Sequence, residues 1–188
     1  MTGTVALAVD ATGFAVRRPC DPDREPAMFS YKHRSHEVKA TLAACAETAY
    51  IHYIGRLAKG SEHDFSMFKR EFGKAAGFFT GLTVLMDAGY TGASALLRET
   101  GVDVTLGIAR KRPRGGQLQD WEVAHNRAIA SVRVRGEHAI RGTKRYRVLS
   151  ARSSFKCLRF FDMLVGVLAG LWNFRILHRM GRLAPLTG

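Results

Sequence analysis

The chain has 188 residues, 29 of them lysine or arginine against 16 aspartate or glutamate, so its formal net charge is +13, and its hydrophobic fraction is 46%. That length and apolar content suit one domain with its own core, and they exclude a disordered polar segment or a string of small modules. Charge of this size exceeds what solubility requires and points to a polyanionic partner, with nucleic acid ahead of a membrane surface or an acidic protein.

The N-terminal MTGTVALAVDATG has no basic n-region and meets an acid at position 10, which speaks against a signal peptide. Within it TVALAVDAT reads as a strand closed by Asp10. A loop rich in proline and charge follows, RRPCDPDREP, and then HEVKATLAAC and ETAYIHYIGRL form a strand pair. These segments predict an antiparallel meander of three strands. HDFSMFKREFGKAAGFF places Phe65, Phe68, Phe72 and Ala75 at helical spacing, with His63 or Ser61 near the N-cap.

LTVLMDAGY is a fourth strand, again closed by an acid, Asp87. GASALLRETG is a short helix with a glycine stop, and VDVTLGIAR a fifth strand. The loop KRPRGGQL leads into a helical pattern from about Asp120 to Arg147, with Ile129 and Val132 turned to the core. The segment SFKCLRFFDMLVGVLAGLWNFRIL supplies a last, mostly buried helix whose Leu171, Trp172 and Phe174 read as core. Its most apolar stretch, MLVGVLAGLW, is short for a bilayer and is bounded by Asp162 and Arg175, so no membrane is expected. The order βββαβαβ followed by helices implies an α/β domain with a mixed sheet over residues 1–180, and a tail at 181–188. Cys20, Cys45 and Cys157 are odd in number and lack CxxC spacing, so the expected location is a reducing cytoplasm without a disulfide framework.

Residues 110–160 hold fourteen of the basic residues against Asp120, Glu122 and Glu137 alone. Within SVRVRGEHAIRGTKRYRVL the single acid is Glu137, and Ala130, Arg133, Arg141 and Lys144 fall within about 40° of it on a helical wheel. Asp10, Asp87 and Glu137 converging from two strands and a helix would offer oxygen ligands to Mg²⁺ or Mn²⁺. Paired ions of that kind assist cleavage of a phosphodiester while surrounding cations hold its backbone. The bland alternative makes each aspartate a turn cap and Glu137 half of an i±4 ion pair with Arg133 or Arg141, contributing roughly 0.3–0.5 kcal/mol. Gly136 and Gly142 each cost about 1 kcal/mol in a helix, so their presence suggests the close approach of a neighbouring helix or of DNA. Lesser candidates are His33 and His36 as an incomplete zinc pair, Trp121 as a base-stacking aromatic and KRPRGG as a phosphate-contacting loop.

The motifs VDAT, GSEHDFSMFK, LMDAGYTG and SVRVRGEHAIRGTKRYRVL, in that order, resemble the catalytic domain of DDE transposases of the insertion-sequence-five and Harbinger-like superfamily. The resemblance spans about residues 5–177 and implies a ribonuclease H-like fold. It implies a metal-dependent DNA transposase in which Asp10, Asp87 and Glu137 are catalytic and hold two Mg²⁺ (or Mn²⁺) ions, Asp10 bridging them, with Asp64 as an additional or supporting metal ligand. Arg133, Arg141, Lys144 and Arg145 are then the DNA-binding residues, double-stranded DNA the partner, and a bacterial, nucleoid-associated protein the setting. His36 and Lys39 match the family's second strand without a catalytic role. Two departures stand out: Gly136 replaces a branched apolar residue, and the family's N-terminal helix-turn-helix has no counterpart before Asp10. The chain is therefore expected to be either a truncated copy or a downstream frame joined by frameshifting. The expected partners are a second copy or a separate or fused helix-turn-helix product, and the alternative function is a non-catalytic DNA-binding remnant.

Overall fold

A computed structural model describes residues 5–154 and 157–182. Strand β1 (Ala6–Ala15) is followed by a helical turn α1 (Glu25–Met28), strands β2 (Phe29–Ser30), β3 (Ser35–Cys45), β4 (Ile51–Ile54) and β5 (Ala58–Lys59), and helix α2 (Asp64–Phe72). A 3₁₀ turn at Ala76–Phe79 leads to β6 (Leu82–Met86), a second at Ala88–Tyr90 to α3 (Ala93–Glu99), and then come β7 (Val104–Ile108), α4 (Asp120–Lys144), α5 (Arg147–Ser150) and α6 (Leu158–Arg179).

The strands form one mixed sheet in the order β2-β3-β1-β6-β7, with β4 and β5 on the far edge of β3. β1 runs antiparallel to β3 from Leu7 opposite Cys45 to Ala15 opposite Glu37, parallel to β6 only over Ala6–Ala8, and β6 runs parallel to β7. Both faces of the sheet are covered, as parallel strands require. On one face Val9, Ala43, Val84 and Met86 pack against Phe68, Phe72, Phe79 and Leu97 of the α2–α3 layer. On the other, Phe14, Val38 and Ala40 meet Leu149, Phe161 and Val165, while Leu42, Ala44 and Ile51 meet Ala139, Ala169, Trp172 and Ile176. Alternation along β1 therefore turns Ala8 and Asp10 toward α4 and Val9 toward α2.

The predicted order of the main elements holds, but α1, β2, β5 and α5 are additional, α4 ends at Lys144 rather than Arg147, and other details differ. β1 does not stop at Asp10; it continues for five residues because β3 goes on supplying backbone partners after β6 has ended. α2 ends at Phe72, with Gly73 at its C-cap, so Ala75 lies outside it. Val132 is 41% exposed rather than core. α6 is only half buried: Phe161, Val165, Leu168, Ala169, Trp172 and Ile176 face the sheet, while Phe160, Met163, Val167, Leu171 and Phe174 lie open on its outer side. At 22 residues, with mean hydropathy 1.5 over its best window, α6 is also longer than MLVGVLAGLW suggested and meets the length and composition of a membrane span. The inward face nevertheless packs on the sheet. Residues 183–188 of the expected tail lie outside the described residues.

The two helical glycines have a packing cause. A Cβ on Gly136 would collide with the Ala8 methyl of β1, and one on Gly142 would collide with the Trp172 ring of α6. Both close approaches are to protein, which lets α4 lie directly on the strand that carries Asp10.

Candidate active site

The parallel pair β1/β6 separates after Ala8 and Leu85, and a crevice opens beyond the carboxyl end of β6. Crevices at the carboxyl ends of parallel strands are where α/β sheets place ligands. Asp10 faces this crevice from β1, and Asp87 follows β6 directly. Ala8, Asp10, Leu42, Arg133, Gly136, Glu137 and Ile140 line one small cleft between α4 and the strands β1 and β3, which brings Glu137 of α4 alongside Asp10.

Asp10 is held from two directions. The Ala11 amide donates to Oδ1 at 2.8 Å, and the Arg133 guanidinium donates to Oδ2 at 3.1 Å. Burial nevertheless pushes the Asp10 carboxyl above its ordinary value, against the opposing pull of Arg133, and the charges of Asp87 and Asp64 push it further the same way. The three aspartates are thus close enough to repel one another. Asp64 opens α2, and Lys39 donates to its Oδ1 at 3.1 Å and to the Glu62 carbonyl at 3.1 Å. Asp87 uses Oδ1 to accept from the Gly89 amide at 2.7 Å, which is the cap role of the bland alternative. Its Oδ2 has no hydrogen bond among the described residues.

Tyr90 lies at the centre of this charge. Its hydroxyl is fully buried, has no hydrogen-bond partner among the described residues, and is held far above the ordinary tyrosine range by burial and then by the charges of Asp10, Asp64 and Asp87. Glu137 is exposed and forms neither of the ion pairs its spacing allowed, since Arg133 turns to Asp10 and Arg141 has no partner among the described residues.

The predicted basic residues divide. Arg133 is paired with Asp10. Lys144 is half-buried over the Phe14 ring at 5.6 Å, its amine pushed below the ordinary lysine value by burial against the attraction of Glu37 and Asp10. Arg141 and Arg145 line a different cavity on the flank of α4. His33 and His36 do not come together as a metal pair: His33 Nδ1 lies 2.9 Å from Glu37 and His36 Nε2 2.6 Å from Glu25. Trp121 is 55% exposed, with Arg110 5.6 Å above its ring, in keeping with a surface aromatic. The Lys39–Asp64 and Arg133–Asp10 pairings were not foreseen. A lysine inside the apolar run VKATLAA is the one signal that could have marked a buried ion pair.

The donors suit a hard divalent cation. They are carboxylate oxygens whose mutual repulsion such an ion would relieve, and they surround an unpartnered hydroxyl. Among the described residues no three His, Cys, Asp or Glu side chains are already gathered into one ligand group. Positive charge at the crevice comes instead from Arg133 and Lys39.

Residues 9–173 match a family described as DDE superfamily endonuclease. The chain is also 28% identical over 172 residues to the probable transposase for insertion sequence element IS702 of Microchaete diplosiphon. That alignment takes in 90% of this chain and 57% of the relative, so the chain spans little more than half the relative's length.

Proposed function

The chain belongs to the DDE superfamily of endonucleases, and from that premise we propose that it is the catalytic domain of a DNA transposase of the insertion-sequence-five and Harbinger-like type, cutting and rejoining phosphodiesters at element ends. The observation that supports the reading is the position of Asp10, whose carboxyl feels the charges of Asp87 and Asp64 and which lines a small cleft together with Glu137. The mixed sheet, with an antiparallel β3 beside β1 and parallel β6 and β7 on its other side, supports a ribonuclease H-like fold.

Two Mg²⁺ or Mn²⁺ ions held by Asp10, Asp87 and Glu137, with Asp64 in support, would polarise the phosphodiester and activate the attacking oxygen. The protein's own groups do the rest. Arg133 holds the Asp10 carboxylate through its Oδ2 and brings a positive charge to it. Lys39 holds Asp64 at the start of α2. The Tyr90 hydroxyl offers a hydrogen bond to whatever oxygen enters among the three aspartates. Gly136 lets α4 approach β1 closely enough to bring Glu137 to the same cleft. Arg141, Lys144 and Arg145 add positive charge along α4 for the DNA backbone.

Asp10→Asn, Asp87→Asn and Glu137→Gln are each expected to abolish Mg²⁺-dependent cleavage of duplexes carrying the element ends. Their circular dichroism and duplex affinity should stay near those of the unmodified protein. Cleavage that survives any one substitution removes that residue from the site. The contrasting reading, a DNA-binding protein without catalysis, predicts instead that the unmodified chain binds duplex and never cuts it under those conditions.

A further inference from the structure

On the outer side of α6, Met163, Val167, Leu171 and Phe174 are each about half exposed, and Gly166 and Gly170 lie open among them. At 100° per residue these positions fall within about 140° of one another, opposite the residues that pack on the sheet. None of them is charged, in a chain whose net charge is +13.

The two glycines set this face apart from ordinary surface. Glycine inside a helix is disfavoured relative to alanine. In α4 each glycine has a cause within the chain, the Ala8 methyl beside Gly136 and the Trp172 ring beside Gly142. Gly166 and Gly170 have no such cause, since no described atom lies within 4 Å of where their Cβ atoms would stand. Small residues four apart, set among larger apolar ones, let a second helix come close. A lipid surface asks for the opposite, large apolar side chains at the middle of the face.

The arrangement also fits a particular second helix. Reversing α6 about a point between Leu168 and Ala169 exchanges Met163 with Phe174, Val167 with Gly170 and Gly166 with Leu171. The face is thus complementary to itself under a two-fold axis, the condition for an isologous contact between identical chains. Antiparallel helices in a 3.5-residue register would layer Met163 on the partner's Phe174 and set Val167 into the hollow over the partner's Gly170. The exposed surface of the face is on the order of 500 Å² per copy, so a pair buries roughly 1,000 Å², the size at which specific interfaces begin.

We propose that two copies of this chain pair antiparallel through the outer face of α6, with the Val167–Gly170 layers at the centre of the contact. Asp10, Asp87 and Glu137 lie outside the face, so the proposal does not rest on the reaction they perform.

Sedimentation velocity of the full chain over roughly 1–100 μM should show a monomer–dimer equilibrium that tightens with added salt, because both copies are strongly cationic. Val167→Glu should weaken it by about tenfold or more. Gly170→Leu is the sharper variant: with open space above Gly170, its circular dichroism should be unchanged and its unfolding midpoint no lower, yet it fills the hollow and should weaken pairing as much as Val167→Glu. Register is read by disulfide formation in a Cys20→Ser/Cys157→Ser background, where mixed Met163→Cys and Phe174→Cys chains should cross-link and neither should do so alone. A chain that stays monomeric throughout that range overturns the proposal. Tighter association of Gly170→Leu also overturns it, by marking an unspecific apolar patch, and self-linking of either cysteine chain overturns the antiparallel register. Binding of a monomeric chain to neutral phosphatidylcholine vesicles, lost in Val167→Glu, would give the face to a lipid surface instead.

Discussion

Gly136→Ala tests the seam between α4 and β1, because two opposite effects decide its sign. In an exposed helix the change would stabilise the protein by about 1 kcal/mol. Here the added methyl meets the Ala8 methyl, which is anchored to a buried strand and cannot swing aside. Overpacking of this kind costs about 1–3 kcal/mol, so the net expectation is a loss of up to about 2 kcal/mol. Relief requires α4 to lift from β1, and Glu137 rides on the next residue, so cleavage should fall more than stability does. Urea unfolding followed by circular dichroism measures the first effect and the initial rate of Mg²⁺-dependent cleavage the second. Ala8→Gly in the Gly136→Ala background restores the space, and the double-mutant cycle should return a coupling of about 1 kcal/mol or more. A Gly136→Ala protein that is more stable by about 1 kcal/mol and cuts at the unmodified rate would falsify the close approach.

Three further outcomes are expected. Burial raises the Asp10 carboxyl in the folded state, so its contribution to stability is complete below the unfolded value and is lost as pH rises through the folded one. The stability of Asp10→Asn relative to the unmodified chain should therefore grow as pH rises above about 4 in denaturant titrations, and parallel profiles would refute it. Glu71, on α2, is a second case: burial raises its carboxyl against Thr41, Arg70 and Tyr53, and Glu71→Gln should raise the unfolding midpoint at neutral pH, where a lower midpoint would show the charge to be well compensated. Trp172→Phe removes the indole hydrogen bond to the Ala49 carbonyl at 2.8 Å and part of the α4–α6 packing, and should cost about 1–3 kcal/mol in urea unfolding, an unchanged midpoint counting against both contacts.

Local patterning was enough to read the order of the main elements and to mark Asp10 and Asp87 at the ends of apolar runs, because strand alternation and helix periodicity are properties of short windows. What failed was set by neighbours distant along the chain. β1 outlasts Asp10 only because β3 pairs with it up to Glu37, and no residue within β1 announces that partner. A helical wheel puts Arg141 as close to Glu137 as Arg133 is, but β1 lies on one side and Trp172 on the other, so one arginine enters the crevice and the other the cavity. α6 read as mostly buried because its central run is apolar all round, whereas the sheet covers only one side of it. Arg133–Asp10 and Lys39–Asp64 join residues 123 and 25 positions apart, beyond the reach of any window.

The placement of the two tryptophans gives the protein an optical readout of its own. Trp121 is 55% exposed at the start of α4, whereas Trp172 is 7% exposed in the floor of the arginine cavity. A neutral aqueous quencher such as acrylamide reaches the first more readily than the second, so the emission that resists it reports the indole of the cavity lined by Arg135, Arg141, Arg145 and Arg179. Any ligand that enters that cavity changes the polarity above the ring, and its binding can be followed in unlabelled protein while the carboxylate crevice is left untouched.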